Sequence, residues 1–156
     1  MAESAHRHRV DSLLHGRGPS LTLGVETVDV ADAVRVLGVF FTPDLALDKH
    51  TSAVNAKCFY QLRQLRRVRR SLDTDSAKIS VHAFVTSRID YCNGLLANAT
   101  SIWTDKLQRV LNTAVRVITN TRKFDRGLTS ILHDDLHWLD LPRRVLYKMV
   151  MVILPW

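Results

Sequence analysis

The clearest chemical feature of the sequence is a cluster of arginines in its first half. Four of them stand at positions i, i+3, i+4 and i+7, which share one face of a helix: Arg63, Arg66, Arg67 and Arg70. No acidic residue occurs between Lys57 and Leu72 to pair with them locally. Guanidinium groups match the oxygens of phosphate. The spacing predicts a phosphate-binding surface, here called the arginine ridge; the alternative is a solvated helix face whose acidic partners lie elsewhere in the fold.

A second, weaker basic stripe follows further along the chain, at Lys106, Arg109 and Arg116. The whole sequence of 156 residues carries 22 Lys and Arg against 15 Asp and Glu, a net charge of +7. A surplus of this size favours polyanionic partners, with nucleic acid first and an anionic membrane surface second. Both stripes are therefore predicted to bind nucleic acid through its phosphates.

Other kinds of site find little support in the sequence. The histidines and cysteines show no paired ligand spacing such as C-x-x-C or H-E-x-x-H, so we predict no metal site. No G-x-S-x-G motif and no glycine-rich phosphate loop occurs. The sole adjacent acidic pair, Asp134-Asp135, lies in a helical context and is interpreted as solvated charge at a helix end. We predict no catalytic residue in this chain.

The pattern of apolar residues predicts a mainly α fold with short strands at its start. Residues 1–19 are predicted to be an unstructured basic tail, and residues 20–46 to form strands. Leu21–Leu23 and Val28–Val30 flank a turn, and Val34–Phe41 has the apolar, β-branched content of one buried strand. In that strand Gly38 is interpreted as a bulge or a close backbone approach.

From residue 47 onward the apolar period becomes helical, which predicts a thumb-like bundle of three or four helices over residues 47–156. The first helix is expected from about Asp48 to Ser71, with Cys58 on its apolar face. The second is capped by Asp73 or Thr74, buries Ile79, Phe84, Val85 and Ile89, and ends at a left-handed cap at Asn93-Gly94. A third helix is expected over Ser101–Thr119, a helical turn over Leu128–His133, and a last helix from about Asp140.

Composition also bears on location and assembly. The first residues lack the apolar stretch of a signal peptide, and no apolar run is long enough to cross a membrane. Two cysteines suit a reducing compartment, so we expect an intracellular protein, cytoplasmic or nuclear and not secreted. Residues 149–154 are apolar on every side, which predicts self-association through this end of the chain and an exposed Trp156.

Four segments, in order, resemble the region downstream of the catalytic palm in LINE-type, non-LTR retrotransposon reverse transcriptases. Residues 83–96 (AFVTSRIDYCNGLL) resemble an "AFV-S-R-[IL]-D-YCN-LL" pattern, and residues 107–116 (LQRVLNTAVR) an "LQ-VQN-AAR" pattern. Residues 136–148 resemble an "LHWL…R[IV]-[FY]K" pattern, and residues 36–50 an "LGV" strand followed by a helix start. The resemblance covers about residues 20–150. The residues that carry it include Leu37, Gly38, Ser87, Arg88, Asp90, Tyr91, Cys92, Asn93, Leu107, Gln108, Asn112, His137 and Trp138.

The resemblance implies the end of the palm followed by the thumb of such an RNA-directed DNA polymerase, the part that holds the template–primer duplex. It gives the arginine ridge an expected partner, the backbone of an RNA–DNA hybrid. The family's Tyr-x-Asp-Asp hairpin, which uses Mg²⁺, is absent, so the resemblance implies a non-catalytic fragment of a transposable element that holds no cofactor. The alternative function is a helical protein-interaction module whose arginines bind an acidic partner.

Overall fold

A computed structural model describes residues 20–28, 31–122 and 125–154 of the chain. It is mainly helical with short strands at the start, which confirms the predicted fold class. The described residues divide into two compact units, with the boundary between His50 and Thr51. The predicted tail of residues 1–19 and the position of Trp156 lie outside the described residues.

The first unit contains two antiparallel hairpins. Strand β1 (Leu21–Leu23) pairs with β2 (Glu26–Val28), and β3 (Val34–Val36) pairs with β4 (Val39–Phe41). The first turn is therefore two residues long and the second strand begins at Glu26, earlier than predicted; residues 29 and 30 lie outside the described residues.

The prediction of one buried strand over Val34–Phe41 is wrong. Leu37 and Gly38 have φ values of 48° and 85°, so they form a two-residue turn with positive φ at both positions. Such turns match the right-handed twist of the flanking strands and close tight hairpins. Gly38 is thus a turn residue and not a bulge. All three residues of β3 are exposed, and among the residues of the hairpin Val39 alone is buried.

The helices follow in the order of the sequence. Five of them are α1 (Asp48–Val68), α2 (Thr74–Val81), α3 (Ser87–Asp90), α4 (Ser101–Thr119) and α5 (Leu128–Ser130), and the last is α6 (Leu141–Ile153). Short 3₁₀ segments occupy Arg69–Ser71 and Asn93–Asn98, and single π turns occupy His82–Thr86 and Ile131–Asp135. The predicted helical turn at Leu128–His133 is present and extends to Asp135.

The first helix begins and packs largely as predicted, and the second begins as predicted. Cys58 and Leu62 of α1 are buried. The side chain of Asp73 accepts a hydrogen bond from the Ser76 backbone N–H at 2.8 Å, which confirms an N-cap at this position. This bond and its neighbours hold the pKa of the Asp73 carboxyl below its ordinary value.

The second helix differs from the prediction in its buried face and in its end. Ile79 and Phe84 are exposed, whereas Val81, Val85 and Ile89 are buried. In an α-helix, residues four apart drift by about 40° around the axis. The wider π turn takes up this drift and keeps residues at a spacing of four on one face.

The predicted left-handed cap at Asn93-Gly94 is also wrong. The helix ends at Asp90, and the left-handed residue is Cys92, with φ 56°. Asn93 instead begins the next 3₁₀ segment.

Helix α4 is the centre of the helical unit. It has the bounds that the sequence predicts, and it contacts α2, α5 and α6. Its apolar face is buried except for Trp103, which is half-buried; the buried residues are Leu107, Val110, Leu111, Ala114, Val115, Val117 and Ile118. The burial of apolar surface around α4 is the main source of stability for this unit.

Helix α6 begins as the sequence predicts. The Asp140 side chain accepts from the Arg143 N–H at 3.1 Å, and Pro142 lies in the first turn. Leu141 and Val145 are buried, but the second half is exposed, with Val152 at 76%. None of the described helices combines the length and the apolar character that crossing a bilayer requires.

Candidate nucleic-acid interface

All four residues of the arginine ridge lie at the C-terminal end of α1 and in the 3₁₀ turn that follows it. Each of them is exposed. Within the described residues none of the four makes an ion pair with a carboxylate; the one polar contact is a long bond of 3.5 Å from Arg67 Nη1 to Gln64 Oε1. The described part of the fold thus supplies no acidic partners to the ridge, and its charges face solvent.

Arg69 lies beside the ridge but has a different role. Its guanidinium donates to three backbone carbonyls: Nε to Val117 at 2.8 Å, Nη2 to Ile118 at 2.6 Å and Nη1 to Leu72 at 2.7 Å. Val117 and Ile118 lie in the last turn of α4, where backbone carbonyls lack partners within the helix. A cation is also favoured there by the helix dipole. Arg69 therefore joins the end of α1 to the end of α4.

The second basic stripe lies on α4 and is more enclosed than the ridge. Arg109 is exposed, whereas Lys106 and Arg116 are half-buried. The Lys106 ammonium lies 4.1 Å from the centroid of the Trp103 ring, a cation–π contact. Arg116 has a buried Nε without a hydrogen-bond partner in the described residues. Phosphate binding by these three residues stays a prediction.

Two residues of the 107–116 segment connect α4 to the start of α6. Gln108 Oε1 accepts from the Leu141 N–H at 2.7 Å, and Gln108 Nε2 donates to Asn112 Oδ1 at 3.0 Å. The first N–H groups of a helix have no partner within it, so Gln108 satisfies one of them from another helix. Leu107 is buried in the same core. These residues fix one helix against another.

A second connection joins the 83–96 segment to the 136–148 segment. Arg144 Nη1 donates to both carboxylate oxygens of Asp90, at 3.0 and 2.8 Å, and Arg144 Nε donates to the Leu139 carbonyl at 2.8 Å. The Arg144 guanidinium also lies 5.5 Å from the Trp138 ring centroid. Asn93, which is 3% exposed, donates to Asp90 Oδ1 at 3.4 Å. The fold thus brings together residues that the sequence places up to 54 positions apart.

The other residues of the resemblance are more scattered. Ser87 and Arg88 are exposed, with the Ser87 hydroxyl bonded to its own helix at the Ala83 carbonyl. Cys92 and His137 adopt positive φ values of 56° and 52°, and Tyr91 is 51% exposed. Leu37 and Gly38 lie in the other unit, in the hairpin turn.

Two features of this region were not predicted as functional residues. Arg69 is not one of the four ridge positions that the sequence singles out, and Arg144 lies in a segment that entered only as part of a resemblance. One feature of the sequence distinguishes Arg69 from the ridge. Its position does not fit the i, i+3, i+4, i+7 spacing of the ridge arginines, so on a helix it lies nearer the apolar face. No local pattern marks the pairing of Arg144 with Asp90, because that pairing depends on the fold.

The remaining candidate groups have ordinary surroundings. Asp134 and Asp135 are exposed, and Asp134 accepts a hydrogen bond from Ser130 at 2.7 Å. Across residues 20–28, 31–122 and 125–154 there is no group of three or more His, Cys, Asp or Glu that can hold a metal ion. Burial raises the pKa of the Cys58 thiol to about 11, in spite of the opposing charge of Arg88.

Comparison with known proteins adds no relative to this description. No protein-family model, no curated protein and no solved structure matches the chain.

Proposed function

We propose that the helical unit binds duplex nucleic acid, in the manner of the thumb of a reverse transcriptase, and that it does so through phosphate contacts without catalysing nucleotide transfer. The observation that carries the proposal is the arginine ridge: four exposed guanidiniums on one helix end, none of them ion-paired within the described residues. The four ordered segments that resemble LINE-type reverse transcriptases support an RNA–DNA hybrid as the duplex. The sequence holds no Tyr-x-Asp-Asp motif, which supports binding without catalysis.

Binding by the ridge has a defined dependence on salt. Each phosphate that an arginine neutralises releases counterions, and four such contacts give a slope of log K against log[salt] of about −3.6. The ridge offers no arrangement of groups for reading base edges, so affinity is expected to be nearly independent of sequence. A blunt RNA–DNA hybrid of arbitrary sequence is therefore a suitable probe.

The test replaces all four ridge arginines by Gln and measures binding by fluorescence anisotropy across a range of salt. We expect most of the slope and most of the affinity to be lost. A matched control replaces four other exposed arginines, Arg88, Arg122, Arg126 and Arg143. Both variants carry a net charge of 7 − 4 = +3, so a difference between them reports the position of the charges and not their sum.

Three outcomes would contradict the proposal. One is unchanged affinity for the hybrid in the ridge variant, and another is an equal loss in the control. The third is ridge-dependent binding to an acidic polypeptide such as polyglutamate without binding to the hybrid, which would establish the protein-interaction function instead.

A further inference from the structure

A cavity of about 320 Å³ lies in the helical unit beside the Asp90–Arg144 ion pair. Its wall comes from three separate stretches of chain: the end of α3 with Asn93 just beyond it, the link before α6, and the middle of α6. Its volume lies at the lower end of the range of small-molecule sites. It is distinct from the arginine ridge, none of whose residues lines it.

The charged side chains of the cavity carry one more positive charge than negative charge, so the cavity favours an anion. Arg144 is fixed by its bonds to Asp90 and to the Leu139 carbonyl, and its side chain is only 14% exposed. These bonds use Nε and Nη1, so Nη2 keeps its donors. Since Asp90 already balances one cation, the exposed ammonium of Lys148, which has no ion pair within the described residues, makes this wall net positive. An anion with several oxygens, such as a phosphate, suits these two groups.

Flat apolar surface lies next to these cations. Trp138 is half-buried, with the Arg144 guanidinium 5.5 Å from its ring centroid, and Tyr147 is 58% exposed on the same wall. Exposed aromatic rings beside cations are the usual means by which proteins stack unpaired bases. The cavity therefore combines a place for an aromatic ring with a place for an anion.

A buried amide oxygen beside the cavity adds a third feature that a ligand must match, a hydrogen-bond donor. Asn93 lines the cavity and donates through Nδ2 to Asp90, but its Oδ1 has no hydrogen-bond partner among the described residues. Buried amide oxygens are almost always paired, and an unpaired one disfavours the state in which it is found. A ligand with an amino or hydroxyl donor beside its ring pairs with this oxygen when the Asn93 side chain turns toward the cavity.

We propose that this cavity binds a single unpaired nucleotide, with its base against Tyr147 and Trp138, its phosphate at Lys148 and Arg144, and an amino or hydroxyl group toward Asn93. A nucleoside monophosphate carries all three chemical features at once. The same unit occurs as a free mononucleotide and as the unpaired end of a strand. Mononucleotide binding in the cavity is independent of duplex binding by the ridge, because it uses other residues and contacts the base as well as the phosphate.

The test titrates the full chain with adenosine monophosphate and, separately, with a short single-stranded oligoadenylate. The readouts are the indole N–H resonance of Trp138 and the dissociation constant. Tyr147→Ala and Lys148→Gln change exposed side chains, and each is expected to weaken binding about fivefold or more. Arg143→Gln is the matched control, since it removes an exposed cation of the same helix that does not line the cavity.

The outcomes distinguish a free mononucleotide from a strand end as the ligand, and both from the absence of nucleotide binding. Equal affinity for the two probes identifies a free mononucleotide as sufficient, and tighter binding of the oligonucleotide identifies a strand end; both support the proposal. No saturable binding of either probe overturns it, as does an equal loss in Arg143→Gln. Binding of inorganic phosphate as tight as that of adenosine monophosphate also overturns it, because the base then contributes nothing. The variant that lacks the four ridge arginines is expected to keep mononucleotide binding. A failure of duplex binding by the ridge is therefore distinguishable from a failure of mononucleotide binding in the cavity.

Discussion

Replacing Arg69 by Ala should destabilise the helical unit without weakening the arginine ridge. The change removes three hydrogen bonds of 2.6–2.8 Å: two join the end of α1 to the last turn of α4, and the third, to the Leu72 carbonyl, holds the turn that follows α1. Bonds of this kind contribute about 1 kcal/mol each when the freed carbonyls regain water, and more when they do not. We therefore expect a loss of about 3 kcal/mol in the free energy of unfolding.

The measurement is urea denaturation followed by circular dichroism. For a chain of this size a loss of about 3 kcal/mol also lowers the midpoint of thermal unfolding by about 6–12 °C. Arg67→Ala is the matched control: it removes an arginine two residues earlier in the chain, at an exposed site, where the change is expected to stay within about 0.5 kcal/mol. Arg69→Lys keeps the charge, but a single ammonium does not reach three carbonyls, so an intermediate loss is expected.

Equal stability of the Arg69→Ala and Arg67→Ala variants would refute the reasoning, since it would mean that the three bonds add nothing to folding. A fall in the salt dependence of hybrid binding in Arg69→Ala, with stability unchanged, would move Arg69 into the ridge.

Two other predictions follow from burial and exposure. The Cys58 thiol, whose pKa is raised to about 11 from an ordinary 9.0, stays neutral in the folded chain; its stabilising contribution is complete below pH 9.0 and is lost as the pH rises toward 11. Alkylation at about pH 8 followed by mass spectrometry should label the half-buried Cys92 well before Cys58, and equal rates would contradict this. For the apolar end of α6, we expect Val152→Lys to reduce self-association in light scattering, whereas Ala56→Lys, also at an exposed site, leaves it unchanged. The same scattering from both variants would show that this face does not join copies of the chain.

Helices with one strong apolar stripe could be predicted closely. The bounds of Ser101–Thr119 agree with the structure because that stripe repeats at helical spacing over five turns and all its residues except Trp103 are buried. The N-cap at Asp73 and the start of the last helix near Asp140 could also be predicted, since an N-cap depends on a side chain and a backbone N–H only three residues away. In each case the deciding interactions are local.

Predictions failed where a backbone dihedral or a helix defect decides the outcome. Val34–Phe41 has the composition of a buried strand, but positive φ at Leu37 and Gly38 folds it into a hairpin. In the second helix Phe84, inside the π turn His82–Thr86, is exposed, whereas Val81, one turn earlier, is buried. Composition does not record either event, because a turn with positive φ reverses the chain and a wider helical turn changes the angle between the side chains before and after it.

For the candidate sites, the sequence determined the charge and the spacing of the arginine ridge, because helical residues three or four positions apart are neighbours whatever surrounds them. Only the tertiary structure decided that no carboxylate of the described residues pairs with the ridge arginines. It also decided that Arg69 binds backbone carbonyls of the fold instead of facing solvent. It also decided that Asp90, Trp138 and Arg144 line one cavity. The physical reason is distance along the chain: spacing within a helix is fixed by local geometry, whereas contacts between residues 54 positions apart form only when the buried surfaces of several helices bring them together.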